Sequence, residues 1–188
     1  MPTLPAQPLK ETEGELKMSK ELRVAAIVAL VQTARARLGK TQVQKLVYFA
    51  QECGVPLNYR YEIYHYGPYS FELSHDLGSL DSLGVLKVES DPLKLGFDIS
   101  AGKFAEKFKL EARYQKKIEK VIGQFGSNSA AQLEVQATIH FVRSVLKSHV
   151  PPDKARMQVI QKVRALKPRF TDDFVKSCYS DLEQARWI

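Results

Sequence analysis

The chain has 188 residues, of which 44% are hydrophobic and 26% are charged, and this composition excludes a wholly disordered chain, a collagen-like repeat and a disulfide scaffold. Its length suits one domain of ordinary size or two very small ones. The formal net charge is +7, and 17 basic against 9 acidic residues lie in positions 101–188, so the excess positive charge belongs to the C-terminal half.

The N-terminal part predicts a leader followed by a buried helix. Residues 1–18 contain three prolines and a charged run, which indicate a mobile leader. From Ser19 the pattern is helical, and residues 22–31 are apolar nearly all round. A helix of this kind is central and buried, and we expect it to end near Gly39.

A second helix and a strand are predicted next. Thr41 and Gln44 have the spacing of a capping box that opens a helix, and Gly54 suits the position just after its end. The aromatic run 59–66 predicts a single strand. The Gly-Pro pair at 67–68 is expected to break it.

A third helix and a hairpin follow. Residues 70–83 carry leucines at helical spacing, and Gly84 is expected to end that helix. Residues 85–88 and 95–99 predict two short strands, with a turn at Ser90-Asp91-Pro92.

The remainder of the chain predicts helices only. They are expected over about 103–122, from Ser129 to the proline pair at 151–152, over about 153–166, and from Thr171 onward. Gln132 completes a second capping box with Ser129.

The order of these elements predicts the fold class. Helix, helix, strand, helix and hairpin is the order of a winged-helix module. We therefore expect a mainly α protein with a small β-sheet (α+β), in which a winged-helix-like core at 19–102 is followed by a helical C-terminal extension at 103–188 packed on that core.

Two segments, 44–50 (QKLVYFA) and 61–70 (YEIYHYGPYS), resemble the hallmark of the Panacea (SocA-like) antitoxin domain and of the related YwgA-type bacterial proteins. Those families share a QKLxYF helix, an aromatic strand that runs into YGPYS, and a helix that ends in LxxLG, here 80–84. The resemblance covers about residues 20–105. A weaker likeness to YwgA-type tails lies at 166–170.

The resemblance implies a prokaryotic or phage-encoded cytoplasmic protein that is not an enzyme. Panacea domains are implied to neutralise a partner toxin, or to hand a partner to a protease, by protein contact. YwgA-type proteins have no assigned activity, so that branch implies a fold alone. We therefore expect an antitoxin- or adaptor-like protein-interaction module, with both branches open.

The segment 64–70, which we call the corner, is the expected contact surface. Gly67 can adopt a positive φ, Pro68 fixes φ near a helix start, and Ser70 can cap the next helix. Such a segment is either a rigid packed turn or a tyrosine-rich binding surface, and both can hold at once. The protein-binding residues predicted here are Tyr64, Tyr66, Gly67, Pro68, Tyr69 and Ser70.

Binding of nucleic acid is the alternative. The helix in the recognition position carries Glu72, Asp76 and Asp81 and no lysine or arginine, so phosphates would be repelled there. Lys87 and Lys94 are the only bases of the predicted wing. The helix 103–122 instead places several bases on one face, which suits nucleic acid, an acidic partner or ordinary solvation. This predicted basic stripe consists of Lys109, Arg113, Lys116, Lys117 and Lys120.

The sequence offers little for catalysis or metal binding. Glu72 and His75 have the E-x-x-H spacing of di-iron helices without a second copy. His140 lies in an apolar helix and is expected to be a packed core residue. Cys53 and Cys178 match no paired metal spacing and are expected to be free thiols. We predict no metal, no cofactor and no membrane segment, and an enzyme assembled from distant residues is the third hypothesis.

Overall fold

A computed structural model describes residues 13–34, 37–91, 96–146 and 152–188. Within these ranges the protein is mainly helical and carries a small antiparallel sheet. The expected α+β class is therefore confirmed.

The helices are α1 (Glu13–Ala34), α2 (Lys40–Glu52), α3 (Phe71–Ser82), α4 (Ala112–Phe125), α5 (Ala130–Leu146), α6 (Pro152–Leu166) and α7 (Asp172–Gln184), with one 3-10 turn at Ala105–Lys107. The strands are β1 (Leu38–Gly39), β2 (Glu62–Tyr64), β3 (Gly67–Tyr69), β4 (Leu86–Asp91) and β5 (Gly96–Ala101).

The strands form two antiparallel sheets. In the larger sheet the order is β1-β5-β4, so the short strand before α2 pairs with the last strand of the later hairpin. Leu38 lies opposite Ile99 of β5, and Ile99 also lies opposite Val88 of β4. The smaller sheet is the β2–β3 hairpin, in which Ile63 lies opposite Pro68.

The hydrophobic core is built around α2 and α5. Residues 43–50 of α2 and 133–139 of α5 are buried without interruption. Residues 25–31 of α1 are buried as well, which confirms the predicted central helix. The core continues through α6 and α7, so residues on both sides of position 102 belong to one cluster.

The beginning of the chain differs from the prediction. α1 begins at Glu13, so the helix starts six residues before the predicted Ser19. The remaining part of the predicted leader, residues 1–12, lies outside the described residues.

The predicted capping box of α2 is wrong. The helix begins at Lys40 with Gly39 as its N-cap, and the side chain of Gln42 accepts a hydrogen bond from Gly39 N at 3.0 Å. Gln44, the second residue of the predicted box, points instead to Ser70. Gly54 follows the helix with a φ of +89°, as predicted.

Two strand predictions need correction. The run 59–66 is not one strand, because only Glu62–Tyr64 is extended and paired, and Gly67-Pro68 begin β3 instead of ending the sheet. In the second hairpin, Ser90 and Asp91 belong to β4 rather than to the turn. Pro92 lies outside the described residues.

The predicted helix over 103–122 is wrong in its first half. Phe104 N donates to Gly84 O at 3.0 Å, and this contact holds the segment against the end of α3. Residues 108–111 are not helical, and α4 begins only at Ala112 and continues to Phe125.

The later helices follow the prediction closely. Ser129 and Gln132 form the predicted capping box, with Ser129 N donating to Gln132 Oε1 at 2.9 Å. Thr171 Oγ1 accepts from Phe174 N at 3.3 Å and caps α7. The described part of α5 ends at Leu146. Its predicted end, at residue 151, lies outside the described residues.

Candidate functional site

The corner is a tight turn whose backbone packs directly against α5. Gly67 has a φ of +83°, a conformation that costs glycine nothing. A Cβ atom at this position would lie 2.6 Å from Thr138 Oγ1 and 3.1 Å from Glu134 O. Glycine is therefore required here both by the backbone conformation and by the close approach of α5.

A side chain from α2 locks the end of the corner. Gln44 Nε2 donates to Ser70 O at 2.9 Å, and Ser70 N donates to Gln44 Oε1 at 3.0 Å. Ser70 Oγ accepts from Leu73 N at 3.2 Å, so Ser70 is the predicted N-cap of α3. The two resembling segments therefore contact each other directly through Gln44.

Lys45, the next residue of α2, is fully buried beneath the corner. Its Nζ donates to Pro68 O at 2.7 Å. Burial lowers the pKa of Lys45 from 10.5 to about 8; the Glu134 carboxylate opposes this shift, and the positive charge of Lys167 adds to it. A buried lysine with this pKa is charged at neutral pH.

The segment after α6 holds the turn of the corner. Lys167 Nζ donates to the carbonyl oxygens of Tyr64 and His65 and lies 3.1 Å from Glu134 Oε1, as an ion pair without hydrogen-bond geometry. Arg169 pairs with the other oxygen of Glu134. We call Lys45, Glu134, Lys167 and Arg169 the charge cluster.

Aromatic side chains cover the outer side of the corner. The Tyr64 ring lies 5.7 Å from Tyr69 and 5.6 Å from Phe71, in tilted and edge-to-face arrangements. Tyr66 lies apart from this group, and the Arg169 guanidinium is 5.2 Å from its ring centre. Tyr64, Tyr66 and Phe71 are 46%, 53% and 55% exposed.

A pocket of about 260 Å³, which we call the corner pocket, opens between the corner and the start of α2. Its lining residues are Lys40, Thr41, Gln44, Lys45, Tyr64, His65, Tyr66, Tyr69, Ser74 and Leu77. A second depression shares Lys40, Thr41 and Tyr66 with it and extends to Phe97 of β5. The two depressions adjoin at the N-terminal end of α2, and we call them together the groove.

The six predicted protein-binding residues divide into two groups. Tyr64 and Tyr66 are exposed, and Tyr69 is half-buried. The other three, Gly67, Pro68 and Ser70, are buried and shape the corner without presenting side chains to solvent.

The predicted basic stripe is only partly present on one helix. Lys109 lies before α4 in a non-helical segment. Lys117 Nζ donates to Gly54 O at 2.7 Å, so this ammonium group is engaged by a carbonyl group just after the end of α2. Arg113 forms an ion pair with Glu111 at 2.9 Å. Lys116 and Lys120 are exposed on α4, and Lys120 Nζ lies 5.4 Å from the Trp187 ring.

The acidic residues of α3 have partners within the protein. Asp76 accepts from Tyr59 OH at 2.7 Å, and Asp81 accepts from Val88 N at 2.9 Å. The third, Glu72, forms a 3.6 Å ion pair with Arg23. These carboxylates therefore stabilise the contacts of α3 with its neighbours.

Sequence reasoning gave no role to the charge cluster. Lys45 and Glu134 each lie inside a mostly apolar, buried stretch of helix, and a charge in such a stretch is itself a signal of a specific contact. Lys167 lies in the segment 166–170 that resembles YwgA-type tails. The structure brings this segment to the corner, although the two are about 100 residues apart.

The remaining candidate groups are structural. Tyr48 OH and His140 Nδ1 lie 2.8 Å apart, and burial lowers the pKa of His140 to about 4, which agrees with the expected packed histidine. Both Cys53 and Cys178 are free, and burial raises the pKa of Cys178 to about 12. Across the described ranges, no cluster of three His, Cys, Asp or Glu side chains offers a metal site.

No helix in the described parts of the chain combines the length and apolarity needed to cross a membrane. No protein-family model matches the chain, and a search of curated proteins finds no significant match.

Proposed function

We propose that this protein is a non-enzymatic interaction module of the antitoxin or adaptor type, which acts in the cytoplasm and binds a partner protein through the exposed side of the corner. The observation that carries this proposal is that two exposed tyrosines, Tyr64 and Tyr66, line the corner pocket, with the exposed Phe71 ring packed against Tyr64. Exposed tyrosines that border a concave surface are typical of binding hot spots.

The rigidity of the corner supports this proposal. Gln44 fixes its end, Lys45 its middle and Lys167 its turn, in each case through backbone atoms. A surface that is already fixed loses little conformational freedom on binding, and tyrosine adds large contact area at low entropic cost. The corner is therefore suited to present Tyr64 and Tyr66 to another protein.

The arrangement of the sheet is consistent with a winged-helix-like core. The strand before α2 pairs with β5, and β4 and β5 form the hairpin that follows α3. The corner lies immediately before α3, in the position that leads into the recognition helix of such a module. Together with the resemblance to Panacea domains, this favours a toxin or a protease as the partner.

Binding of nucleic acid through the basic stripe is supported less well. Lys117 is bound to Gly54 O, Arg113 is paired with Glu111, and Lys109 does not belong to the helix. A charge-reversal test of this alternative should therefore change Arg113, Lys116 and Lys120 and leave Lys117 in place. Salt-dependent binding of a DNA duplex that is lost in this triple variant would favour the nucleic-acid function over the proposed one.

Co-expression with the product of the adjacent reading frame tests the proposed function. We expect a stoichiometric complex with the wild-type protein and at least a tenfold loss of affinity in the Tyr64→Ala plus Tyr66→Ala variant, because hot-spot aromatics contribute about 2 kcal/mol or more each. Phe104→Ala is the matched control, since Phe104 is an exposed aromatic outside the groove lining. Full binding by the double variant would contradict the proposed surface.

A further inference from the structure

The charge cluster contains more positive than negative charge. Lys45 and Lys167 are both buried, at 0% and 4% exposure, and Glu134 is the buried carboxylate that faces them. Arg169 already occupies one oxygen of Glu134 and Lys167 the other. A buried cation without a matching anion is costly, so this arrangement favours a further negative group close to Lys45.

The corner pocket is the place where such a group can enter. Lys45 forms part of its floor, and Lys40 and Thr41 lie at its rim. Among the lining residues that the structure describes there are two lysines and no carboxylate. Lys40 and Thr41 also begin α2, whose N-terminal end adds partial positive charge.

The hydrogen-bonding capacity of Lys45 is only partly used. Its ammonium group carries three N–H donors, and Pro68 O accepts one of them at 2.7 Å. Within the described residues, no acceptor is recorded for the other two. The lysine can therefore bind an additional acceptor without giving up its contact with the corner.

We propose that the corner pocket binds the carboxylate of an acidic side chain from an extended segment of the partner protein. In this complex the Thr41 hydroxyl donates to the carboxylate, the buried Lys45 ammonium and the exposed Lys40 ammonium supply the positive charge, and the rings of Tyr64 and Tyr66 flank the carbon chain. The inference rests on the proposed function, and it specifies the chemistry of the partner segment.

The pocket suits a carboxylate better than a phosphate. A phosphate dianion is typically bound by arginine forks as well as by backbone N–H groups. The end of α2 offers the second kind of donor, but none of the described lining residues is an arginine. With a volume of about 260 Å³, the pocket can hold a group about the size of one side chain. Aromatic walls and a lysine floor fit an acidic side chain of a polypeptide.

Small probes test this inference without knowledge of the partner. Phenylacetate and phenylacetamide have nearly the same shape, and only the first is charged. Titrated into the full-length protein at about pH 7, where Lys45 is charged, phenylacetate should shift the nuclear magnetic resonance signals of Tyr64 and Tyr66. It should bind at least about tenfold more tightly than the amide, because both can accept a hydrogen bond but only the acid brings a negative charge to the lysines of the pocket.

Two variants locate the binding site. Lys45→Met should remove the preference for the acid. Because Lys45 also holds the corner through Pro68 O, the uncharged amide should bind this variant as it binds the wild type, which shows that the pocket is still formed. Lys40 is exposed, so Lys40→Met leaves the core intact and should weaken the binding of phenylacetate several-fold. Lys120→Met on α4 is the matched control and should bind as the wild type does.

Equal binding of acid and amide, or an unchanged preference in Lys45→Met, would overturn the inference. Tighter binding of phenyl phosphate than of phenylacetate would also overturn it. If the Tyr64→Ala plus Tyr66→Ala variant loses the partner while the probes show no preference, the proposed function stands and the carboxylate pocket fails. If the probes behave as expected but this variant keeps the partner, the pocket stands and the proposed function fails.

Discussion

Replacement of Gly67 by alanine tests whether the corner is held by the close approach of β3 to α5. The new Cβ atom would lie 2.6 Å from Thr138 Oγ1 and 3.1 Å from Glu134 O, and neither can move away easily because both belong to the buried part of α5. The φ of +83° adds a conformational cost for any residue with a Cβ atom.

The expected loss of stability follows from these two effects. A left-handed conformation costs alanine about 1–2 kcal/mol, and overpacking of a buried contact costs about 1–3 kcal/mol. The lower entropy of the unfolded alanine chain offsets about 0.4–1 kcal/mol. The free energy of unfolding of Gly67→Ala should therefore fall by about 1–5 kcal/mol.

Urea denaturation followed by circular dichroism measures this change. Gly78→Ala is the matched control, because Gly78 lies exposed in α3 with no atom within 4 Å of an added Cβ; it should be stabilised by about 0.5–1 kcal/mol. In Gly67→Ala plus Thr138→Ala the nearest clash is gone, so the two changes should couple favourably by about 1–2 kcal/mol. A Gly67→Ala protein within about 0.5 kcal/mol of the wild type would refute the reasoning.

Two further predictions concern buried charges. Glu134→Gln should lower the free energy of unfolding by about 3–5 kcal/mol in the same assay, since it leaves Lys45 and Lys167 buried without their anion; the exposed control Glu111→Gln should change it by less than about 1 kcal/mol. Burial lowers the pKa of His140 from 6.5 to about 4, so on acidification the unfolded chain takes up a proton at this residue before the folded protein does. Up to about 3 kcal/mol of stability should therefore be lost as the pH falls from 6.5 to 4. In His140→Gln this loss of stability at low pH should be absent. The prediction is wrong if the free energy of unfolding of the variant depends on pH as that of the wild type does.

The parts of the fold that sequence predicted correctly are those fixed by local contacts. The Ser129–Gln132 box and the Thr171 cap join residues three positions apart, so both partners of each contact lie within one short stretch of sequence. Gly54 and Gly84 end their helices with positive φ, a conformation for which glycine is the preferred residue. Local chemistry therefore accounts for most of the helix boundaries.

Two of the errors arose where a distant contact overrides the local pattern. Residues 103–111 have helical spacing, yet Phe104 N bonds to Gly84 O, twenty residues earlier in the chain. The aromatic run 59–66 reads as one strand, but Lys167 holds the carbonyl groups of Tyr64 and His65 in a turn. No window of neighbouring residues contains these partners, so the pattern of the sequence could not predict them.

The same division separates the corner's framework from its proposed binding surface. Gln44, Gly67 and Ser70 resemble the family motif, and each of them is committed to contacts inside the protein. These three residues account for the shape of the corner, but that shape is not sufficient to select a partner. If the corner binds a partner as proposed, the lining residues outside the motif segments, such as Lys40 and Thr41, are the ones that can adapt the groove to a particular partner segment. A change of partner between proteins with this corner is therefore expected to alter the groove side chains and to leave the buried motif in place.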